Sequence, residues 1–221
     1  MENISGVLTQ TVFILALVGL PVAWLFNRRR RQSLSSHYAK LHFKAVDAAD
    51  FKAMLNADRF AMLGRNWLNA GRASELHIGN FEGLDMAQFT LSRSDGSKSG
   101  RQQTVTFIKG ETPLPGFVLR PESMTDKLLD KFKAVDIDFD SHPNFSASYQ
   151  LVSSDEPATR AFFDDALLGY FEENPGFSVE CVGRDVLIFR EYKRVSGGAD
   201  IDVQLRLAHN LYQRLLQLGD H

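Results

Sequence analysis

Three aspartates at alternate positions, Asp136, Asp138 and Asp140, followed by His142, are the residues in this chain best spaced to do chemistry. In an extended strand side chains alternate between faces, so the three carboxylates share one face and Val135, Ile137 and Phe139 the other. Carboxylates crowded in this way repel one another until a cation intervenes, and hard oxygen ligands suit Mg²⁺ or Ca²⁺. That reading makes the segment a divalent-metal site acting on phosphate-containing substrates. The competing reading is a solvated strand face neutralised by Arg or Lys, and the weakness of the motif favours it. The segment is not an EF-hand loop, because Ser141 stands where Gly is needed and Ala147 where Glu is needed.

The other chemistry-bearing residues form no recognisable constellation. Arg59, Arg65, Arg72, Arg120 and Arg160 have the chemistry of an anion site, but no spacing binds them together. No pair among the six histidines sits at i, i+4 on a credible helix. Phosphate-loop, nucleophile-elbow and His-Glu-x-x-His patterns are all missing from the sequence. Cys181 is the only cysteine, which excludes an intramolecular disulfide and suits a reducing compartment. Its apolar neighbours, from Phe177 to Val182, predict a buried, inert thiol. No catalytic residue and no cofactor is assigned by the sequence.

The strongest positional signal lies at the other end of the chain. Twenty residues without formal charge, Val7 to Phe26, run directly into Arg28, Arg29, Arg30 and Arg31. Twenty helical residues span roughly 30 Å, the thickness of a hydrocarbon core. Trp24 falls where an aromatic belt would sit, and Gly19 and Pro21 are tolerated in membrane helices. The leading residues carry Glu2 and no Lys or Arg, so the positive-inside rule puts the N-terminus outside and the rest in the cytoplasm. Basic residues follow the apolar stretch instead of preceding it, which argues for a retained single-pass anchor over a cleaved signal peptide. The expected location is the inner membrane, with the bilayer engaged through residues 7–26. The arginines mark topology first and contact anionic headgroups second.

Beyond Arg31 the chain holds 21 Lys plus Arg against 26 Asp plus Glu, a balance of −5. A nucleic-acid partner would call for a basic field, so none is expected. Seventeen Phe in the chain imply a substantial core. Gln32 to Ser36 reads as a short polar linker within an irregular or helical lead-in over 32–74. From Glu75 the pattern turns to alternation, with strands over 76–81, 84–91 and 103–108 around the turn cluster Ser94–Gly100. A short strand spans Phe117 to Leu119, and Pro121 opens a helix through Met124, Leu128, Leu129 and Phe132. Ala147 to Val152 is a further strand. Ser153 and Glu156 form a capping box for a helix running to Asn174, with Pro157 in its first turn. Phe177–Val182 and Val186–Phe189 pair as a hairpin, and Asp200 caps a last amphipathic helix to about Leu218.

This succession predicts an α+β fold: a transmembrane helix, then an antiparallel sheet over residues 75–221 with helices packed on it, divisible into two lobes near 135–145. On the last helix Ala208, Leu211, Leu215 and Leu218 form an apolar seam. Packing on the domain's own sheet is its expected use, and a homo-oligomer contact is the alternative.

Leu63-Gly64-Arg65, Gln103-Thr104-Val105, Leu114-Pro115-Gly116-Phe117-Val118-Leu119-Arg120-Pro121-Glu122, Asp136-Ile137-Asp138-Phe139, Tyr149-Gln150-Leu151 and Arg160-Ala161-Phe162-Phe163 carry a wider likeness. In these signposts the chain resembles an uncharacterised bacterial family of proteins with one N-terminal membrane helix and a cytosolic α+β domain. The resemblance implies that arrangement and supplies no activity. The favoured expectation is a membrane-held domain that binds or scaffolds a protein partner. The alternative is a tethered enzyme using the Asp136, Asp138 and Asp140 face.

Overall fold

A computed structural model describes residues 21–22, 24–56, 59–63, 73–93, 101–122, 136–190 and 193–219. An eight-stranded antiparallel sheet forms its centre, in the order β1-β2-β3-β4-β8-β7-β5-β6. The strands are β1 Lys44–Ala45, β2 Ala73–Phe81, β3 Leu84–Arg93, β4 Arg101–Lys109, β5 Phe117–Pro121, β6 Tyr149–Ser153, β7 Phe177–Val182 and β8 Asp185–Arg190. Among the described residues six helices accompany it: α1 (residues 24–40), α2 Ala48–Leu55, α3 Pro143–Ser148, α4 Glu156–Phe162, α5 Asp165–Glu173 and α6 Gly198–Gly219. The α+β architecture and both expected hairpins are present.

Local chemistry explains the joints. The β2–β3 turn uses Glu82 (φ 50°) and Gly83 (φ 89°), the paired positive φ values whose twist suits a two-residue hairpin. Asp47 caps α2 by accepting from the Ala49 and Asp50 amides at 2.8 and 2.9 Å. Gly79 lets the lead-in cross close over β2, since a Cβ there would stand 2.6 Å from the Phe43 ring.

Alternation along the strands splits the interior into two layers. Ala87, Phe89, Val105, Phe107, Leu187 and Phe189 face α2 and the segment around Phe60 and Met62. Met86, Ile108, Val186, Ile188, Phe177 and Val179 face the other way, towards α1, α5 and α6. Cys181 lies on this second face, buried, and burial pushes its thiol well above the ordinary range, as an inert core cysteine requires.

Several expectations need correcting. Residues 32–36 are not a linker: they continue α1, with Leu34 only 3% exposed and Tyr38 buried one turn later. The helix expected over 153–174 is two helices, broken at Phe163, with Asp164 capping the second through the Leu167 amide. Asp155 and not Ser153 caps the first, accepting from Ala158 N at 3.1 Å. Ala147 belongs to α3. β5 and β6, from either side of residues 135–145, pair directly, so the sheet runs unbroken where a division into lobes was expected. The helix expected after Pro121 falls on residues 123–135, outside the described residues, as does the turn over 94–100. Most of the apolar stretch 7–26 also lies outside them, and among the described residues no helix is long and apolar enough to cross a membrane.

Candidate functional site

Among the described residues a cavity of about 260 Å³ lies between the first turns of α6 and the end of β8. In β8, Val186, Ile188 and Arg190 share one face by alternation, so the strand that feeds the core ends by directing a guanidinium to the same side. Phe177 is the cross-strand partner of Arg190, whose guanidinium stacks 4.3 Å over its ring. The chain then crosses β4: Thr104 N donates to Lys193 O at 2.9 Å, and Val195 N donates to Thr104 Oγ1 at 2.9 Å. This crossing sets Lys193 and Arg194 on the rim. From α6, Val203, Gln204, Leu207 and Ala208 form the opposite wall.

The cavity is therefore apolar within and cationic at its edge. Asp200 is its one acidic lining residue among the described residues, and that carboxylate is occupied. It accepts from Ser196 Oγ at 2.5 Å, Ser196 N at 2.9 Å and Gly197 N at 3.2 Å, bonds that hold its pKa below the usual value. Buried Nε atoms of both Arg190 and Arg194 lack a hydrogen-bond partner among the described residues. Val203 at the rim is 58% exposed.

Behind this rim stands Glu75, at a β2 bulge with φ of 56°. Arg30 of α1 donates to both its oxygens at 2.7 and 3.3 Å, Arg194 donates at 3.0 Å, and Thr90 Oγ1 at 2.8 Å. Burial pushes the carboxyl upward, but the bonds from Arg30 and Thr90 and the field of Arg194 outweigh it, and the pKa is lowered. Arg30 also donates to Val195 O at 2.6 Å, so α1 grips the cavity wall directly. Further along α1, Tyr38 stacks on His77 and donates to Gln88 Oε1 at 2.5 Å, while His37 pairs with Asp202 of α6 at 3.0 Å.

The residues singled out in the sequence are dispersed. Asp136 Oδ1 accepts from Leu151 N at 3.0 Å, and Ile137 N donates to Leu151 O at 2.8 Å, so Asp136 extends the pairing of β6. Burial raises the Asp136 pKa, and the Asp138 charge adds to that. Asp138 is exposed and offers its backbone carbonyl to Arg160, and Asp140 sits in a turn. Among the described residues no three His, Cys, Asp or Glu side chains come together to hold a metal ion. Arg59 pairs with Asp185, Arg120 bonds Gln150 and Arg160 pairs with Glu156, so these do not converge either. In the basic run Arg28 stacks 5.2 Å over Trp24, Arg29 and Arg31 are exposed, and Arg30 is docked. The seam residues Ala208, Leu211 and Leu215 are buried on the sheet of their own chain. The strand expected from the sequence ends at Phe189 and passes over Arg190, which the Val186, Ile188, Arg190 alternation could have marked as its polar end. Nothing local in the sequence marks Glu75.

A second buried carboxylate makes a test of its own. Glu180 of β7 accepts from Ala61 N and Met62 N at 2.6 and 2.8 Å, yet burial dominates and raises its pKa from 4.5 to about 7. The folded state thus holds this proton more tightly than the unfolded chain. Stability contributed by the group falls as pH rises from about 4.5 to about 7, by roughly 3 kcal/mol, and is level above that. Denaturant titrations at pH 5 and pH 8 should show this loss in the parent and a smaller one in Glu180→Gln. Equal losses in both would refute the assignment.

No protein-family model matches the sequence, and no curated protein matches it. A crystal structure of the mycobacterial trehalose monomycolate transport factor A, TtfA, aligns with a TM-score of 0.49 at 14% identity, covering 66% of this chain and 73% of that one. That likeness is too distant to imply a shared function.

Proposed function

We propose that the protein is a single-pass membrane protein whose α+β domain is a binding module held rigidly at the cytoplasmic surface of the inner membrane. One observation carries this reading: α1 passes without a break from an exposed apolar end into the domain core. Trp24, Leu25 and Phe26 are 47–70% exposed, whereas Leu34 and Tyr38 on the same helix are 3% exposed. Exposing three large apolar side chains in succession is unfavourable in water and natural at the edge of a bilayer. Because Arg30 is locked to Glu75 and Val195, the membrane segment and the domain would move as one body.

The full chain should stay in the membrane pellet after alkaline carbonate extraction, and a reporter fused after His221 should be active only as a cytoplasmic fusion. Release into the carbonate supernatant would overturn the anchor, and an exported reporter would overturn the orientation. Cross-linking in intact cells should trap the domain reproducibly with a ligand or a partner at the α6–β8 cavity. Its consistent absence would count against a binding role.

A further inference from the structure

We infer that the cavity between α6 and β8 binds a single-chain anionic amphiphile taken from the adjoining leaflet, its acidic group on Arg190 and Lys193 and its chain against Phe177, Ile188, Leu207 and Ala208. The inference rests on the membrane-held reading above and adds a ligand class to it. Charge complementarity is the first argument. Arg194 is already paired with Glu75, which leaves Arg190 and Lys193 against Asp200, the one lining carboxylate among the described residues, itself turned to the Ser196 and Gly197 donors. Arg190 keeps a buried Nε without a hydrogen-bond partner among the described residues, and its planar fork suits a carboxylate or phosphate.

The second argument is the lining. An apolar interior has nothing to offer a small hydrophilic anion, while a cationic edge repels a positive head and attracts a negative one more than a neutral one. At about 260 Å³ the cavity sits just below the usual range for ligand pockets, which limits it to one chain segment and not two. Placement is the third. Arg30, which bonds Val195 of the cavity wall, follows Phe26 by four residues, about 6 Å along the helix. Of the five large apolar side chains exposed among the described residues, Trp24, Leu25 and Phe26 lie on α1, Val22 precedes it in the chain, and the fifth is Val203 at the cavity rim. A ligand leaving the leaflet beside α1 therefore meets the cavity next.

The test uses the full chain in nanodiscs of neutral phosphatidylcholine with a diazirine-bearing dodecanoate as photoprobe. Labelled peptides should fall within 177–208, and unlabelled dodecanoate should compete. Dodecanol, dodecyltrimethylammonium and inorganic phosphate should compete at least tenfold less well. Arg190→Gln with Lys193→Gln should cut labelling about tenfold. Val203→Asp, a change at an exposed site that leaves the core alone, should do the same by placing a negative charge at the mouth. Equal competition by dodecanol, labelling outside 177–208, or undiminished labelling in both variants would overturn the inference. So would displacement by an acidic amphipathic peptide but not by dodecanoate, which would assign the cavity to a protein partner. Carbonate extraction reads the anchor separately, so failure of the ligand and failure of the membrane reading are distinguishable.

Discussion

Phe163→Ala is expected to lower unfolding stability by about 3–5 kcal/mol, a large share of what a single domain possesses. Phe163 is 2% exposed and closes α4 at the break before α5. Its ring meets Phe117 edge-on at 5.0 Å and lies 5.9–6.4 Å from Phe162, Phe145, Phe171 and Phe139. These partners come from β5, α3, α4, α5 and the loop before α3, so truncation opens a void that no single element can move to fill. The cost should therefore fall at the upper end for its class, where cavities fail to collapse. Phe163→Leu keeps most of the volume and should lose less than half as much. Val203→Ala, at a 58% exposed site, should stay within about 0.5 kcal/mol of the parent. Urea unfolding curves decide the matter, and a Phe163→Ala loss under 1 kcal/mol would mean that the cluster repacks.

How far the sequence discloses this molecule depends on whether a signal is local. The hairpins were legible because alternation and turn residues lie within a few positions of each other: the stretches 84–91 and 103–108 flank a Gly- and Ser-rich cluster, and Val182-Gly183-Arg184-Asp185 joins β7 to β8. The apolar stripe of the last helix was equally legible, and its Ala208, Leu211 and Leu215 pack on the domain's own sheet, the favoured of the two uses that amphipathicity left open. The errors have physical causes. Gln32 to Ser36 looks like a linker because it is polar, but a helix lying on a domain needs one buried residue per turn, and Leu34 and Tyr38 supply that. The period-two aspartates look like one face of a strand, but Asp136 alone extends β6 before the chain turns at Asp140 and Ser141. The candidate site was the least legible part. Arg194 and Glu75 are far apart in sequence, and only the strand order β2-β3-β4-β8, with the chain after β8 folded back over Thr104 of β4, brings them together.

Glu75→Ala should separate α1 from the domain while leaving the sheet folded. Removing this carboxylate strands two guanidiniums that are only 18% and 31% exposed, a more damaging change than losing a surface pair. The expected cost is about 2–4 kcal/mol, below the full penalty of a buried pair because solvent reaches all three side chains. The pH dependence has a definite sign. Glu75 has its pKa lowered from 4.5 in the fold, so its contribution is complete above that value and is lost as pH falls through the lower folded pKa. The gap between parent and variant should therefore be widest near neutrality and should narrow in acid. Stability alone does not distinguish the docking role, since any core lesion lowers it. The distinguishing readout is local: amide exchange over residues 30–40 should rise many-fold in Glu75→Ala, and trypsin should cut at Arg28 to Arg31, while β7 and β8 stay protected. Glu75→Gln keeps an acceptor for Arg30 and should fall between the two. Unchanged exchange in α1 would show that Tyr38, His77 and Leu34 hold the helix without the ion pairs, and the rigid coupling of membrane segment to cavity would then rest on packing instead of charge.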